Sequence, residues 1–392
     1  MLSTEFSRWP SFSQEEAEAV ARVISSNRVN YWTGDEGRLF ESEFADWCGT
    51  ARAVALANGT VALDVALKAL EIGPGDEVIV TPRTFIASVS SVVLAGATPV
   101  FADVDRESGN ISPATISEVL SASTRAIIPV HLAGWPCDMT GIAELARPRG
   151  IKIIEDCAQA HGARIGGRSV GSFGDIGAWS FCQDKIITTG GEGGMVTTDD
   201  AELWSRMWSF KDHGKSWEAV YEREHPPGFR WVHESFGTNW RMLEVQAALG
   251  RLQLAHLPEW TKRRSRIADA FAAALAPFPD AVRTPRPGAE VTHAYYRFYA
   301  YVRPEGLKPG WDRDRIVGEV VARGVPLFQG SCSEVYLEKA FDRTPYRPAD
   351  RLPIAKELGE TSLMFLSHPT LTDNEVARVC SALEEVFLRA TR

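Results

Sequence analysis

What the chain lacks narrows its function first. No apolar run approaches the roughly 20 residues that a membrane-spanning helix requires, so a helical membrane protein is not expected. The N-terminal stretch MLSTEFSRWPSFSQEEAEAV has no basic segment followed by an apolar one, and no secretory signal is expected. The six cysteines, Cys48, Cys137, Cys157, Cys182, Cys332 and Cys380, include no C-x-x-C pair. That scatter excludes a zinc signature and a disulfide framework, and points to reduced thiols in a cytoplasm. The eight histidines form no H-E-x-x-H or other ligand pair. Asp103 and Asp105 end a strand in FADVD without a companion cluster, so no metal is expected. Positive charge is also in deficit. Lys and Arg total 42 against 51 Asp and Glu, a net charge of -9. Nucleic-acid surfaces are usually basic, so that partner is disfavoured. A small anionic ligand is not, because it needs only a few local positive groups.

What is present is an α/β pattern long enough for two domains. The apolar runs ARAVALA, DEVIVTP, TPVFADV, RAIIPVHL, IKIIED, IGAWSF and GGMVTT read as seven strands. Several are apolar throughout, as strands covered on both faces are. Amphipathic segments lie between them. GTVALDVALKAL places apolar residues at Val61, Leu63, Val65, Leu67 and Leu70, and TFIASVSSVVLAG and SPATISEVLSA follow the next two strands. This alternation predicts a mostly parallel seven-stranded sheet with helices on both faces. GGMVTT follows IGAWSF closely enough to predict a hairpin. A helix is predicted from about Met242 to His256, and a second after Pro258. From there HAYYRFYAYVRP alternates as a strand, DRDRIVGEVVARG is helical, and TDNEVARVCSALEEVFLRA is a final helix with a Thr372–Glu375 capping box. Residues 1–257 are read as a large domain and 258–392 as a smaller α+β domain. The helical segment SQEEAEAVARVISS is expected to pack against the smaller one.

Three segments carry chemistry. In ANGTVAL, Asn58, Gly59 and Thr60 stand where a strand gives way to a helix. The unpaired N–H groups and dipole of that first turn attract phosphate, although Gly and Thr there also serve as plain caps. In IKIIEDCAQAHGA, Asp156 ends a strand at the sheet edge where ligands of open parallel sheets bind. A carboxylate there can keep a heterocyclic nitrogen protonated, and Gln159 can reach the same ring. Capping of the next element is the competing reading. In GDIGAWSFCQDKIITTGGEGGMVTT, Lys185 follows a buried strand and precedes Gly190, Gly191, Gly193 and Gly194. A lysine in a dry site loses its proton readily and attacks aldehydes; a surface lysine is the bland alternative. Ser180 offers a hydroxyl to a phosphate.

Taken in order, these segments resemble fold-type-I pyridoxal phosphate enzymes, and within them the DegT/StrS family of sugar aminotransferases. The similarity runs from about Gly34 to about Leu257, and more faintly to the C-terminus. It rests on ALANGTVALDVALKAL, GPGDEVIVTPRTFIASVSSVVLAGATPVFADVD, VHLAGWPCDM, IEDCAQAHGA, SFGDIGAWSF, GGEGGMVTTDD and GTNWRMLEVQAALGRLQL. The resemblance implies that Lys185 carries pyridoxal 5'-phosphate as a Schiff base and moves the proton during transamination. It implies Asp156 on the pyridine nitrogen, Gln159 on the 3'-oxygen, and Gly59, Thr60 and Ser180 on the phosphate. Phe85 would stack on the ring. Asn239 would reach the phosphate of a neighbouring subunit, which makes a homodimer part of the expectation. The implied activity is transfer of an amino group from L-glutamate to a keto sugar, nucleotide-linked through dTDP, UDP or GDP, in polysaccharide or secondary-metabolite biosynthesis.

The chain departs from the family pattern at Cys182 and Gln183, at Phe365-Leu366-Ser367-His368-Pro369, and in GVPLFQGSCSEVYLEKAF. These positions bear on the substrate. His131, His161 and Arg230 are candidate substrate contacts, with buried structural histidines as the alternative for the first two. Lys211 to Arg241 holds Trp217, Trp231 and Trp240 with Lys211, Lys215, Arg223, Arg230 and Arg241. It reads either as a flap over a nucleotide or as packing at a dimer surface. Two other functions compete: a sugar dehydratase on the same cofactor, where a histidine would replace Lys185, and a non-enzymatic cofactor-binding regulator.

Overall fold

The computed structural model describes residues 6–392; Met1–Glu5, the start of the stretch read for a secretory signal, lie outside the described residues. All seven predicted strands form one sheet. They are β1 (Arg52–Leu56), β2 (Glu77–Val80), β3 (Thr98–Phe101), β4 (Thr124–Ile128), β5 (Lys152–Asp156), β6 (Ile176–Ser180) and β7 (Gly194–Thr198), in the order β1-β7-β6-β5-β4-β2-β3. β2 to β6 pair in parallel, and β7 runs antiparallel to both β1 and β6. The apolar runs owe their continuity to this position. Val78, Ile79 and Val80 are wholly buried, with Val78 and Val80 in the core on one face and Ile79 in the core on the other. Each such side chain contributes about 1.5–3 kcal/mol on burial.

Helix α1 (Gln14–Ser25), α2 (Glu36–Cys48), α3 (Gly59–Ala69) and α4 (Ala87–Leu94) precede β3. α3 buries Leu63, Val65, Ala66 and Leu67 against the sheet. SPATISEVLSA forms only the short helix Pro113–Ser117, started by the Ser112 cap.

The second sheet has four strands, in the order Val282–Arg283, Arg297–Val302, Ser362–Leu366, Leu327–Phe328. With the C-terminal helix Asp373–Ala390, capped as expected by Thr372 and Glu375, it encloses a separate core that includes Phe271, Phe298, Phe365 and Phe387. One expectation fails between the two sheets. A single helix, Glu244–Leu275, runs 32 residues straight through Pro258. Proline lacks the N–H and usually breaks a helix at a cost of about 3 kcal/mol. Here the apolar face continues on both sides, through Leu254, Leu257, Ile267 and Phe271, and its packing outweighs the lost bond. The N-terminal segment is a further correction: α1 packs on the first half of this helix, where Gln253 Nε2 donates to Glu16 Oε1 at 2.9 Å. Ahead of α1, Phe6 joins the smaller core, Ser7 donates to Glu375, the Arg8 carbonyl accepts from the Thr370 hydroxyl and Trp9 stacks on His368.

Candidate active site

The site collects where β4, β5 and β6 end. Asp156 closes β5 and is almost wholly buried. Its Oδ2 accepts from the Ser88 hydroxyl at 2.8 Å and its Oδ1 from the Ala158 N–H at 3.1 Å. Burial pushes the carboxyl above its usual range, against the pull of Ser88, Ala158, Lys185 and His131. A buried carboxylate with one hydroxyl partner and a lysine close enough to act on it suits a protonated ring nitrogen. Gln159 Oε1 accepts the Ala133 N–H at 2.7 Å. That leaves its amide Nε2 to donate to an oxygen, as a phenolate requires.

Beyond β6 the chain turns through Phe181–Gly193, which carries Lys185. The Lys185 ammonium lies 5.2 Å from the centroid of the Tyr296 ring and 4.0 Å from Asp184 Oδ1. Tyr296 donates its hydroxyl to Asp184 Oδ2, and Arg297 stacks 4.1 Å from the Tyr296 centroid. Burial works against ionised Asp184, but Lys185, Tyr296 and Arg297 hold it below the usual carboxylate range. Trp9 binds the Lys185 carbonyl at 2.8 Å through its indole N–H.

The start of α3 lies against the end of β6, the strand that precedes Lys185. Asn58 caps α3 by accepting the Val61 N–H at 3.0 Å, which leaves the Gly59 and Thr60 N–H groups at the positive end of the helix. A Cβ on Gly59 would lie 2.8 Å from Ser180 Oγ and 2.5 Å from its Cβ, so the helix start sits directly against that serine. Phe85 is 69% exposed at the start of the α4 region. Asn239 is exposed too, and a β-bridge to Asp212 holds its backbone. The donors of the α3 turn, the buried carboxylate, the free amide hydrogens and the lysine together fit pyridoxal 5'-phosphate.

A family model, the DegT/DnrJ/EryC1/StrS aminotransferase family, matches residues 10–384. This chain belongs to that family. The aminotransferase is 37% identical over 359 residues to the UDP-N-acetyl-3-dehydro-alpha-D-glucosamine 3-aminotransferase of Acidithiobacillus ferrooxidans, covering 92% of this chain and 90% of that one. It is 37% identical over 362 residues to the GDP-perosamine synthase of Caulobacter vibrioides, covering 91% and 92%. Among solved structures, the aminotransferase from Psychrobacter cryohalolentis superimposes with a TM-score of 0.97 at 61% identity, covering 98% and 99%.

Other candidates in the aminotransferase fall elsewhere. His131 is sealed: its Nδ1 accepts the Cys137 N–H at 3.0 Å and its Nε2 meets Glu155 Oε2 at 3.1 Å. Glu155 also takes the N–H groups of Gly171, Phe173 and Gly174. His131, Glu155 and Cys157 form a group of potential metal ligands, but these bonds already occupy the imidazole and the carboxylate. His161 is buried between the Trp179 and Phe181 rings. Burial, with the Lys185 and Arg264 charges, pushes it down to about 3, so it is neutral. Neither histidine reaches an open face, and both serve the packing under the site. Asp103 caps the helix Pro353–Thr361 through the Ile354 and Ala355 N–H groups, and Asp105 closes a turn on Glu107 and Ser108. All six cysteines are unpaired.

The tryptophan-rich stretch divides. Trp217 packs against Trp204, Trp208 and Tyr221, and Trp240 against Phe210. Arg223 pairs with Glu218 and Glu234, while Lys215 and Arg241 pair with Asp212. Trp231 and Arg230 remain exposed, with Arg230 bonded only to the Val220 carbonyl among the described residues. Sequence reasoning missed Ser88, Asp184 and Tyr296. Ser88 stands four residues after Thr84, which lies in the bend before α4, and their hydroxyls meet at 2.7 Å, a spacing that common packing also produces. Tyr296 stands more than a hundred residues from Lys185 and had no local signal.

Proposed function

We propose that this aminotransferase moves the amino group of L-glutamate to the ketone of a nucleotide-linked sugar, in a cytoplasmic homodimer that uses pyridoxal 5'-phosphate. The observation that carries the reading is the buried Asp156, close enough to feel the charge of Lys185, on the sheet edge where Gly59 is seated against Ser180. Supporting it, relatives covering nine-tenths of the chain are named for UDP- and GDP-linked sugars. No described helix is long and apolar enough to cross a membrane.

When bound, pyridoxal 5'-phosphate supplies a pyridinium ring that withdraws electrons from the bond losing its proton. Asp156 keeps the ring nitrogen charged, and its buried setting strengthens that pairing. Gln159 donates to the phenolic oxygen. The Gly59 and Thr60 N–H groups, with Ser180, bind the phosphate. Phe85 covers the ring face. The neighbouring subunit's Asn239 completes the phosphate site. With the cofactor bound, Lys185 Nζ would move the proton between the donor Cα and the cofactor's C4'. Residues to Leu257 hold the cofactor, and those from Pro258 form the smaller domain. Arg230 and Trp231 are the exposed groups available to a nucleotide; His131 and His161 act through packing.

The test is a two-step assay. The cofactor-loaded enzyme should convert to the amino form with L-glutamate alone, then lose that spectrum with one member of a panel of dTDP-, UDP- and GDP-linked keto sugars. Lys185→Ala should abolish turnover and the absorbance of the lysine-linked cofactor. A deoxygenated sugar formed without glutamate consumption would overturn transamination in favour of dehydration.

A further inference from the structure

Behind Asn239 lies a buried cation that the proposed mechanism does not use. Lys211 is fully buried, and its ammonium has no hydrogen-bond acceptor among the described residues. It sits 3.6 Å from the Tyr31 ring centroid and 5.1 Å from that of Trp208. Glu41 faces this cage, accepting from the Tyr31 hydroxyl at 3.0 Å and the Ala55 N–H at 2.8 Å. The next residue, Asp212, is also fully buried. Its Oδ1 binds Arg241 Nη1 at 2.6 Å and Lys215 Nζ at 3.1 Å, and its Oδ2 has no partner. Burial drives Lys211 down to about 8, although Glu41 and Asp212 oppose it.

Stability does not call for this arrangement. Removing an ammonium from water costs several kcal/mol, and an apolar side chain of similar length would fill an aromatic cage. Through the bond from Arg241 to Asp212 the cluster joins two segments that backbone bonds also pair. The Trp240 N–H donates to the Lys211 carbonyl at 3.0 Å, and the His213 N–H to Thr238 at 2.9 Å. On the other side, the Ala57 N–H donates to the Trp240 carbonyl at 2.8 Å, one residue before Asn58. Glu41 grips the same strand at Ala55. Lys211 and Asp212 therefore lie alongside Asn239, in a backbone bridge to it, and are tied through Trp240 to the strand end that delivers Gly59 and Thr60.

We propose that Lys211 and Asp212 are positioning residues for cofactor phosphate, setting the Ala57–Thr60 turn and the segment that presents Asn239. The inference rests on the reading of Gly59, Thr60, Ser180 and Asn239 as phosphate contacts. Its test compares affinity for pyridoxal 5'-phosphate with affinity for pyridoxal, which lacks the phosphate. Lys211→Met should weaken pyridoxal 5'-phosphate binding about tenfold, the scale of one displaced charged contact, and leave pyridoxal binding unchanged. Asp212→Asn, nearly isosteric, should do the same and decides the matter if Lys211→Met does not fold. Equal losses for both ligands, or no loss in a folded variant, would overturn the inference. Ser180→Ala is the control. If it selectively weakens pyridoxal 5'-phosphate while Asp212→Asn does not, only the positioning role fails. If Ser180→Ala does not discriminate, the phosphate reading fails and takes the inference with it.

Discussion

Replacing Gly59 with alanine tests the seating of α3 against Ser180 directly. The added methyl would lie 2.5 Å from Ser180 Cβ, 2.8 Å from its Oγ and 3.0 Å from its Cα. Rotating the serine side chain cannot relieve the contacts with Cβ and Cα. Gly194, paired with Ser180 on the neighbouring strand, is packed as closely: a Cβ there would meet the Asn58 carbonyl at 2.3 Å, so the turn is seated tightly on this edge of the sheet. The start of α3 must therefore shift off β6. Overpacking of this kind costs about 1–3 kcal/mol. If that cost falls on the bound geometry, the dissociation constant for pyridoxal 5'-phosphate rises roughly 5- to 150-fold. Equilibrium titration of the apoenzyme measures it, with thermal unfolding alongside. Gly73→Ala is the matched control, since its nearest neighbour would be the Ala95 carbonyl at 3.7 Å. Unchanged cofactor affinity in Gly59→Ala would refute the seating of the helix start against Ser180 as the phosphate site.

Other consequences can be checked as readily. Ser88→Ala removes the hydroxyl donor at 2.8 Å from Asp156, which raises the carboxyl further; turnover should fall about tenfold with cofactor retained, on the scale of one charge-assisted hydrogen bond. Gly318 lies inside the helix Arg313–Val321 with open space around a new Cβ, so Gly318→Ala should raise the melting temperature through a gain of about 1 kcal/mol. Burial holds His161, His293 and His368 at about 3, whereas the unfolded side chain titrates near 6.5. Between these values the unfolded chain binds more protons, so stability rises with pH and is lost on acidification from about 6.5 towards 3. His161→Phe should flatten that dependence in denaturant titrations, and an identical slope would count against a neutral buried His161.

The sheet was legible because its strands are covered on both faces, which writes each of them as an uninterrupted apolar run. Asp156, Gln159 and Lys185 were legible because they stand just past such runs. The long helix was misjudged at Pro258 because a local rule about a missing N–H says nothing of the packing on either side. The fate of the tryptophans was hidden for the same reason: Trp217 and Trp231 look alike in sequence, yet one is wedged among three aromatic rings and the other is 81% exposed. The Asp184–Tyr296 pair that lies against Lys185 joins residues far apart in the chain, and no spacing signals it.

The unbroken helix bears on how the enzyme can be rebuilt. At 32 residues and 1.5 Å per residue it is about 48 Å long. Near its start, Glu244 accepts the N–H groups that open α2; near its end, Phe271 is part of the second core. Swapping the smaller core between relatives at Pro258 would graft two unrelated half-helices and leave each facing a foreign surface. A seam just past Leu275 keeps the whole rod with one parent, and the contacts left to match include those that Ser7, Asp103 and Asp184 make with Glu375, the helix Pro353–Thr361 and Tyr296.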